Sequence, residues 1–198
     1  MLTTTAVAYL LLNKKNSQKK TFTDPNVKHA LRLIDKKILS HNAKRFKFEL
    51  ASHDSISGLP IGNHIFLSAR INNELVVRPY TPISLSLTEG YLEFIIKIYK
   101  SGISTKFPNG GKMSQHLDNM TIGRYIDARG PTGHISYSLN GRFMVKENKK
   151  APSKEIKGIY INMIAGGTGI TPILQVAQYI LMEEKNKSLK FRLVLSNT

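Results

Sequence analysis

The chain has 198 residues, 41% hydrophobic and 21% charged, which suits one large or two small globular domains with a sizeable core. It contains no cysteine, so disulfides, thiolate metal sites and a cysteine nucleophile are excluded, in keeping with a reducing compartment. Lysine and arginine outnumber aspartate and glutamate 29 to 13, a net charge of +16. Such a field favours an acidic protein, an anionic membrane surface or nucleic acid. Nucleic acid is disfavoured, because the basic residues are dispersed from Lys14 to Lys190 and no dense basic segment carries regularly spaced aromatics.

Leu2 to Leu12 is apolar apart from three threonines, and Lys14, Lys15, Lys19 and Lys20 follow. The run is shorter than the roughly 20 residues of a spanning helix. It also lacks the basic start and small-residue cleavage site of a secretory signal. Of the two readings, a frayed terminus or a short membrane anchor with the lysines on the cytoplasmic side, the anchor is preferred. Residues 13–27 read as a polar linker.

Strand signals then follow closely. Val27 to Leu39 alternates through Leu31 and Leu33, and Arg45 to Leu50 alternates cleanly. Gly58 to Gly62 is a turn, and Asn72-Asn73 joins Ile65–Ile71 to Leu75–Val77 as a hairpin. Further strands are expected at Leu92–Tyr99 and Tyr125–Ala128, with one short helix from Lys112 or Met113 to about Asn119, capped by Ser114. Short strands at close spacing with glycine turns imply a small antiparallel barrel. The charged run Lys146–Lys157, with Pro152, reads as an inter-domain linker. Beyond it Ile159–Ile164, Ile173–Met182 and Leu189–Leu195 read as strand, helix and strand, a βαβ unit with a parallel pair. Two strands with one crossover helix leave a sheet face uncovered. The expectation is therefore a fragment, a truncated product, or a chain that needs a partner on that face.

Three runs carry chemistry. In Ala165-Gly166-Gly167-Thr168-Gly169-Ile170-Thr171-Pro172, three glycines link a strand to a helix, with Pro172 suited to the first helical position. Free N–H groups at a helix start favour a phosphate, so this is a nucleotide-binding turn. In Arg78-Pro79-Tyr80-Thr81 the arginine can hold a phosphate by two parallel hydrogen bonds. Tyr80, two residues along an extended strand, lies on the same face, and Thr81 adds a hydroxyl. In Phe107 to Gln115, Gly110 and Gly111 lead into the helix start at Lys112, a second anion-binding geometry. The structural alternatives, a packed strand end and a plain capped turn, stay open for the last two runs taken singly. The histidines at 29, 41, 53, 64, 116 and 134 show no metal-like pairing, so no metal site is expected. No serine sits in a nucleophile elbow, and the glycine turn is not a complete G-x-G-x-x-G.

Together and in this order, the three runs resemble the NADH–cytochrome b5 reductase type of the ferredoxin reductase-like flavoproteins. The resemblance covers roughly residues 24–198 and includes Leu31 to Lys36, Leu67 to Ile71 and Arg129-Gly130-Pro131-Thr132-Gly133. It implies an antiparallel FAD-binding β-barrel followed by an incomplete α/β nucleotide-binding domain. The expected division is 1–23 anchor and linker, 24–150 FAD barrel, and 151–198 partial NADH domain. Arg78 would hold the FAD pyrophosphate, with Pro79 beside it. Tyr80 would pack on the flavin, and Thr81 would hydrogen-bond near its reactive edge. Ile95, Lys97 and Tyr99 would line the flavin or nicotinamide site, with Lys97 also contacting NADH by charge. Thr81 and Lys97 are the expected catalytic residues. Gly111, Lys112, Met113 and Ser114 would bind the pyrophosphate through amides and a hydroxyl. Thr171 would touch FAD from the second domain, and Gly166, Gly167, Thr168 and Gly169 would form the NADH-side turn.

The sequence departs from that pattern in two places. Lys100 stands in the cofactor-binding stretch where the family often has an aromatic near adenine. The family's later Cys-Gly-Pro motif is absent, so FAD binding is better supported than NADH turnover. The implied activity passes electrons from NADH through FAD to cytochrome b5, an acidic haem protein. The implied place is the cytoplasmic face of the endoplasmic reticulum or outer mitochondrial membrane, with a soluble cytoplasmic protein as the alternative. A turnover-free FAD-binding fragment and a basic membrane- or nucleic-acid-binding module are the other functional readings.

Overall fold

The computed structural model describes residues 18–185 and 188–196. The expected anchor at Leu2–Leu12 lies outside the described residues. Six antiparallel strands form the main sheet: β1 (His29–Ile38), β2 (Ala43–Glu49), β3 (His64–Ile71), β4 (Glu74–Tyr80), β5 (Tyr91–Lys97) and β6 (Tyr125–Thr132). Their order is β4-β3-β6-β1-β2-β5, which makes β4 and β5 the two edges. The alternation read in β2 sends Phe46 and Phe48 inward, where they meet Leu92, Phe94 and Ile96 of β5 and Leu31 and Leu33 of β1. The sheet curls into a half-barrel around this core. Its two edges approach where the chain leaves β4, for the Ile83 N–H donates to Glu93 O of β5 at 2.8 Å. At Asn72 and Asn73 the β3–β4 hairpin turns with φ of 49° and 65°, the positive pair that a two-residue hairpin of matching twist requires.

Helix α1 (Lys112–Asn119) plugs one end of the barrel with Met113 and Leu117, both buried in the core. Ser114 does not cap it. Gly111 occupies the N-cap, and Ser114 lies inside the first turn, buried, its hydroxyl donating to Gly111 O and accepting from the Tyr99 N–H. A second sheet, β7 (Ile135–Ser138), β8 (Arg142–Val145) and β9 (Lys154–Lys157), occupies much of the stretch between the barrel and the last unit. The run Lys146–Lys157 is therefore not all linker, since its last four residues pair antiparallel with β8.

The last unit is the expected strand, helix and strand. β10 (Tyr160–Gly166) and β11 (Lys190–Ser196) pair in parallel, from Tyr160 against Lys190 to Gly166 against Ser196. Helix α2 (Ile170–Glu183) crosses between them. A 3-10 turn at Gly167–Gly169 starts the coil early, so Pro172 is the third helical residue rather than the first. Its missing N–H still falls among the four that a helix start leaves unpaired. Met163, Val176, Ala177 and Ile180 bury against Ile61 and Tyr137, which seats the unit on the barrel side. Ile164 and Val194, paired across the two strands, are exposed on the face that α2 leaves uncovered, and Leu193 and Leu195 on the other face are exposed as well. Among the described residues no helix is long and apolar enough to cross a membrane.

Candidate functional site

A cavity of about 660 Å³ opens where the two edges of the half-barrel meet α1 and α2. Arg78, Pro79, Tyr80 and Thr81 line it from the end of β4. Ile95 and Lys97 line it from β5 because Leu92, Phe94 and Ile96 take the inward positions, and Tyr99 follows them. Gly111, Lys112, Met113 and Ser114 supply the start of α1, Thr168 comes from the 3-10 turn and Thr171 from the first turn of α2. Three runs far apart in sequence thus converge on one space of ligand size.

The local chemistry suits an extended anion. The Arg78 guanidinium is exposed and, among the described residues, bonds only to the neighbouring carbonyl of Val77 at 2.8 Å, which leaves most of its donors for a ligand. The first turn of α1 presents unpaired N–H groups beside it. Two glycines let the backbone come this close. A Cβ on Gly110, at φ +63°, would lie 2.3 Å from Tyr99 O. One on Gly111 would lie 2.6 Å from Ser114 Oγ. Lys112 is not free, since its ammonium pairs with Glu74 on the β3–β4 hairpin at 2.5 Å. Its side chain is a bridge between elements, and the anion contact it can make is through its amide.

Pro79, Tyr80, Ile95 and Tyr99 give the rest of the wall its apolar part. Tyr80 stands edge-on to Phe94, ring centres 6.4 Å apart. Burial, partly opposed by Arg78, pushes its phenol up to about 12, so it is neutral at physiological pH. Lys97 lies 5.9 Å from the Tyr99 ring. His64, at the start of β3, also lines the cavity, and the sequence reading had set it aside as structural. Burial lowers its pKa, with His134 and Lys149 adding to the effect. Nothing in its local sequence marks it, because strands distant in the chain bring it to the cavity: Ile65 pairs with Tyr80 of β4, and His64 itself with Thr132 of β6.

Two expected groups lie elsewhere. Lys100 lines a neighbouring recess of about 640 Å³ with Tyr99, Ile103 and Phe107. Gly166, Gly167 and Gly169 form the strand-to-helix turn but do not line the cavity, which Thr168 and Thr171 reach instead. With φ at +50°, Gly167 needs the left-handed region that favours glycine.

The fold and this cavity define a flavin-binding barrel joined to a nucleotide-binding βαβ unit. Residues 30–137 match the sequence profile of the oxidoreductase FAD-binding domain, and residues 163–198 that of the oxidoreductase NAD-binding domain. The chain belongs to the oxidoreductase FAD-binding domain family. It is 44% identical over 193 residues to NADH-cytochrome b5 reductase 1 of Bos taurus, covering 98% of this chain and 63% of that protein. It is 46% identical over 178 residues to NADH-cytochrome b5 reductase 2 of Gallus gallus, covering 90% and 59%. The cytochrome b5 reductase domain of Ulva prolifera nitrate reductase superposes with a TM-score of 0.81 at 35% identity, over 90% of this chain and 65% of that one. The chain spans about 63% of the length of the first of these curated relatives. The residues present fit FAD: a cation with free donors, a helix start, and two glycines without whose close packing on Tyr99 and Ser114 that helix start could not stand where it does.

Proposed function

We propose that the protein is a flavin-dependent oxidoreductase that takes electrons from NADH and delivers them to cytochrome b5. The observation that carries this reading is the cavity shared by Arg78–Thr81, the start of α1, Thr168 of the glycine turn and Thr171 of α2. Thr168 of the glycine turn thus shares one space with Arg78 and the start of α1, which supports a dinucleotide reaching from the second unit to the barrel. FAD, when bound, supplies the conversion between hydride and single-electron transfer. The chain holds and orients it. Arg78 and the first-turn amides of α1 bind the pyrophosphate. Tyr80 offers a neutral flat wall, and the Thr81 hydroxyl donates toward the flavin edge. Lys97 offers its cation to the dinucleotide, and Thr171 closes the cavity from α2. The names of the relatives above support NADH as donor and cytochrome b5 as acceptor.

The net charge of +16 supports an acidic acceptor. The apolar Leu2–Leu12 followed by lysines supports attachment to the cytoplasmic face of the endoplasmic reticulum or outer mitochondrial membrane. The division into a barrel over 24–150 and a nucleotide unit over 151–198 belongs to the same reading. The test is the visible spectrum of the purified protein, before and after NADH without oxygen. A flavin spectrum that bleaches, followed by haem reduction when cytochrome b5 is added, is expected. A flavin spectrum that NADH leaves unchanged overturns the activity but keeps the FAD site. A colourless protein that takes up no FAD overturns both.

A further inference from the structure

Gln175 is a polar side chain in an apolar seam. It lies in the second turn of α2, is 2% exposed, and has Val176 and Ala177 of the buried cluster beside it. Both ends of its amide are engaged, and both partners belong to the barrel side. Its Nε2 donates to Pro82 O at 3.1 Å. Its Oε1 accepts from the Gly62 N–H at 2.7 Å. Pro82 directly follows Thr81, and Gly62 lies two residues before His64, so each bond grips a segment that lines the cavity.

The two anchors are themselves stiff. Ile83, next to Pro82, is tied to β5 through Glu93 O. Gly62 sits at φ +93°, where a Cβ would come within 2.9 Å of Ile135 O. Its neighbour Asn63 donates to that same carbonyl at 2.9 Å. On the helix side, Thr171 lies four residues before Gln175, on the same face, and reaches the cavity. The seam's other adhesive is the apolar cluster of Ile61, Tyr137, Met163, Val176 and Ile180. Apolar burial is non-directional and fixes contact but not angle. Hydrogen bonds are directional, and a buried pair left unmade is costly.

We infer that Gln175 is a positioning residue: it sets the pose of α2, and so of Thr171 and the glycine turn, against the Thr81 end of the flavin cavity. The inference rests on the proposed NADH-to-FAD reaction and adds what aligns its two halves. Gln175 does not itself line the cavity. An alignment error of about 1 Å can cost on the order of a hundredfold in rate, so a buried staple at this seam has kinetic consequences.

The test compares the FAD-loaded protein with Q175M and Q175E. Methionine keeps the length and removes both bonds. In Q175M we expect amide exchange at Gly62 to speed up and FAD affinity to stay within about threefold. The limiting rate of flavin bleaching by NADH should fall roughly tenfold or more, with a much smaller change in half-saturating NADH. Faster Gly62 exchange with bleaching at the wild-type rate overturns the proposal. Q175E keeps the acceptor for Gly62 and can donate to Pro82 O only when protonated. Its bleaching rate relative to wild type at the same pH should therefore be near one at low pH and drop as pH rises, at temperatures where its melting curve shows the fold intact at every pH used. A folded Q175E slowed equally at every pH also overturns the proposal. If wild-type protein binds FAD but NADH does not bleach it, the proposed reaction fails separately. The staple is then read from the visible circular dichroism of bound FAD, and a Q175M spectrum identical to wild type overturns it. A wild-type protein that takes up no FAD overturns both.

Discussion

Gly111 has an ordinary backbone at φ −97°, so nothing in its torsion requires glycine. Space does. A Cβ there would lie 2.6 Å from Ser114 Oγ and 3.2 Å from Tyr99 Cβ. Ser114 cannot yield cheaply, because its hydroxyl ties Gly111 O to the Tyr99 N–H inside a buried turn. G111A should displace the serine, break those bonds and weaken FAD binding by roughly tenfold to a hundredfold, the scale of one or two lost buried hydrogen bonds. Flavin fluorescence quenching on titration measures it. Adding S114A to G111A removes the atom in the way, so the double variant should bind better than additivity of the single changes allows. Strict additivity would show that the cradle is not set by this contact. Ser114 thus acts on the site by shaping the turn, whereas its sequence position suggested a helix cap.

At the scale of elements, α1 shows how a weak helix is made to hold a site. Eight residues are too few for a stable isolated helix, so its ends must be tied down. At its C-terminus the Lys36 ammonium donates to Asp118 O at 2.7 Å and Met120 O at 2.8 Å. Those carbonyls have no partner within the helix, and a cation there suits the helix dipole. Lys44 pairs with the Asp118 carboxylate alongside. K36M should cost about 1–2 kcal/mol, or a fall in melting temperature of roughly 2–8 °C for a chain of this size. It should also weaken FAD binding, because the other end of α1 is the anion cradle. Melting followed with and without FAD checks both. The helix, the six barrel strands and the βαβ unit could be read from the sequence because each carries its own periodicity or punctuation. The β7–β9 sheet could not. Its strands are four residues each, and β9 is Lys154-Glu155-Ile156-Lys157, exposed along its length. What holds it to the barrel is long-range, such as the Tyr137 N–H donating to Ile61 O at 2.8 Å.

Across the whole molecule the same division separates what local sequence can and cannot reveal about the site. Arg78–Thr81, Gly110–Ser114 and Thr168–Thr171 announce themselves by glycine, proline and a lone arginine, which act within a few residues. His64 and Gln175 do not, since each gains its place from a partner distant in the chain, 113 residues away for the bond between Gln175 and Gly62. The charge, by contrast, is a global property, and it gives a global prediction. Arg129, Lys146 and Lys149 line a recess that, among the described residues, no acidic residue lines, on a chain of net charge +16. An acidic haem protein should be drawn in by that field, so its reduction should slow by roughly tenfold or more between 10 mM and 0.3 M salt. NADH is kept saturating, so that flavin reduction does not limit the rate. An uncharged quinone supplied as acceptor gains nothing from the field, and its reduction should change little over the same range. If both acceptors slow together, salt is acting on the flavin or the fold. If neither slows, the positive surface plays no part in docking and the acceptor is held by apolar contact instead.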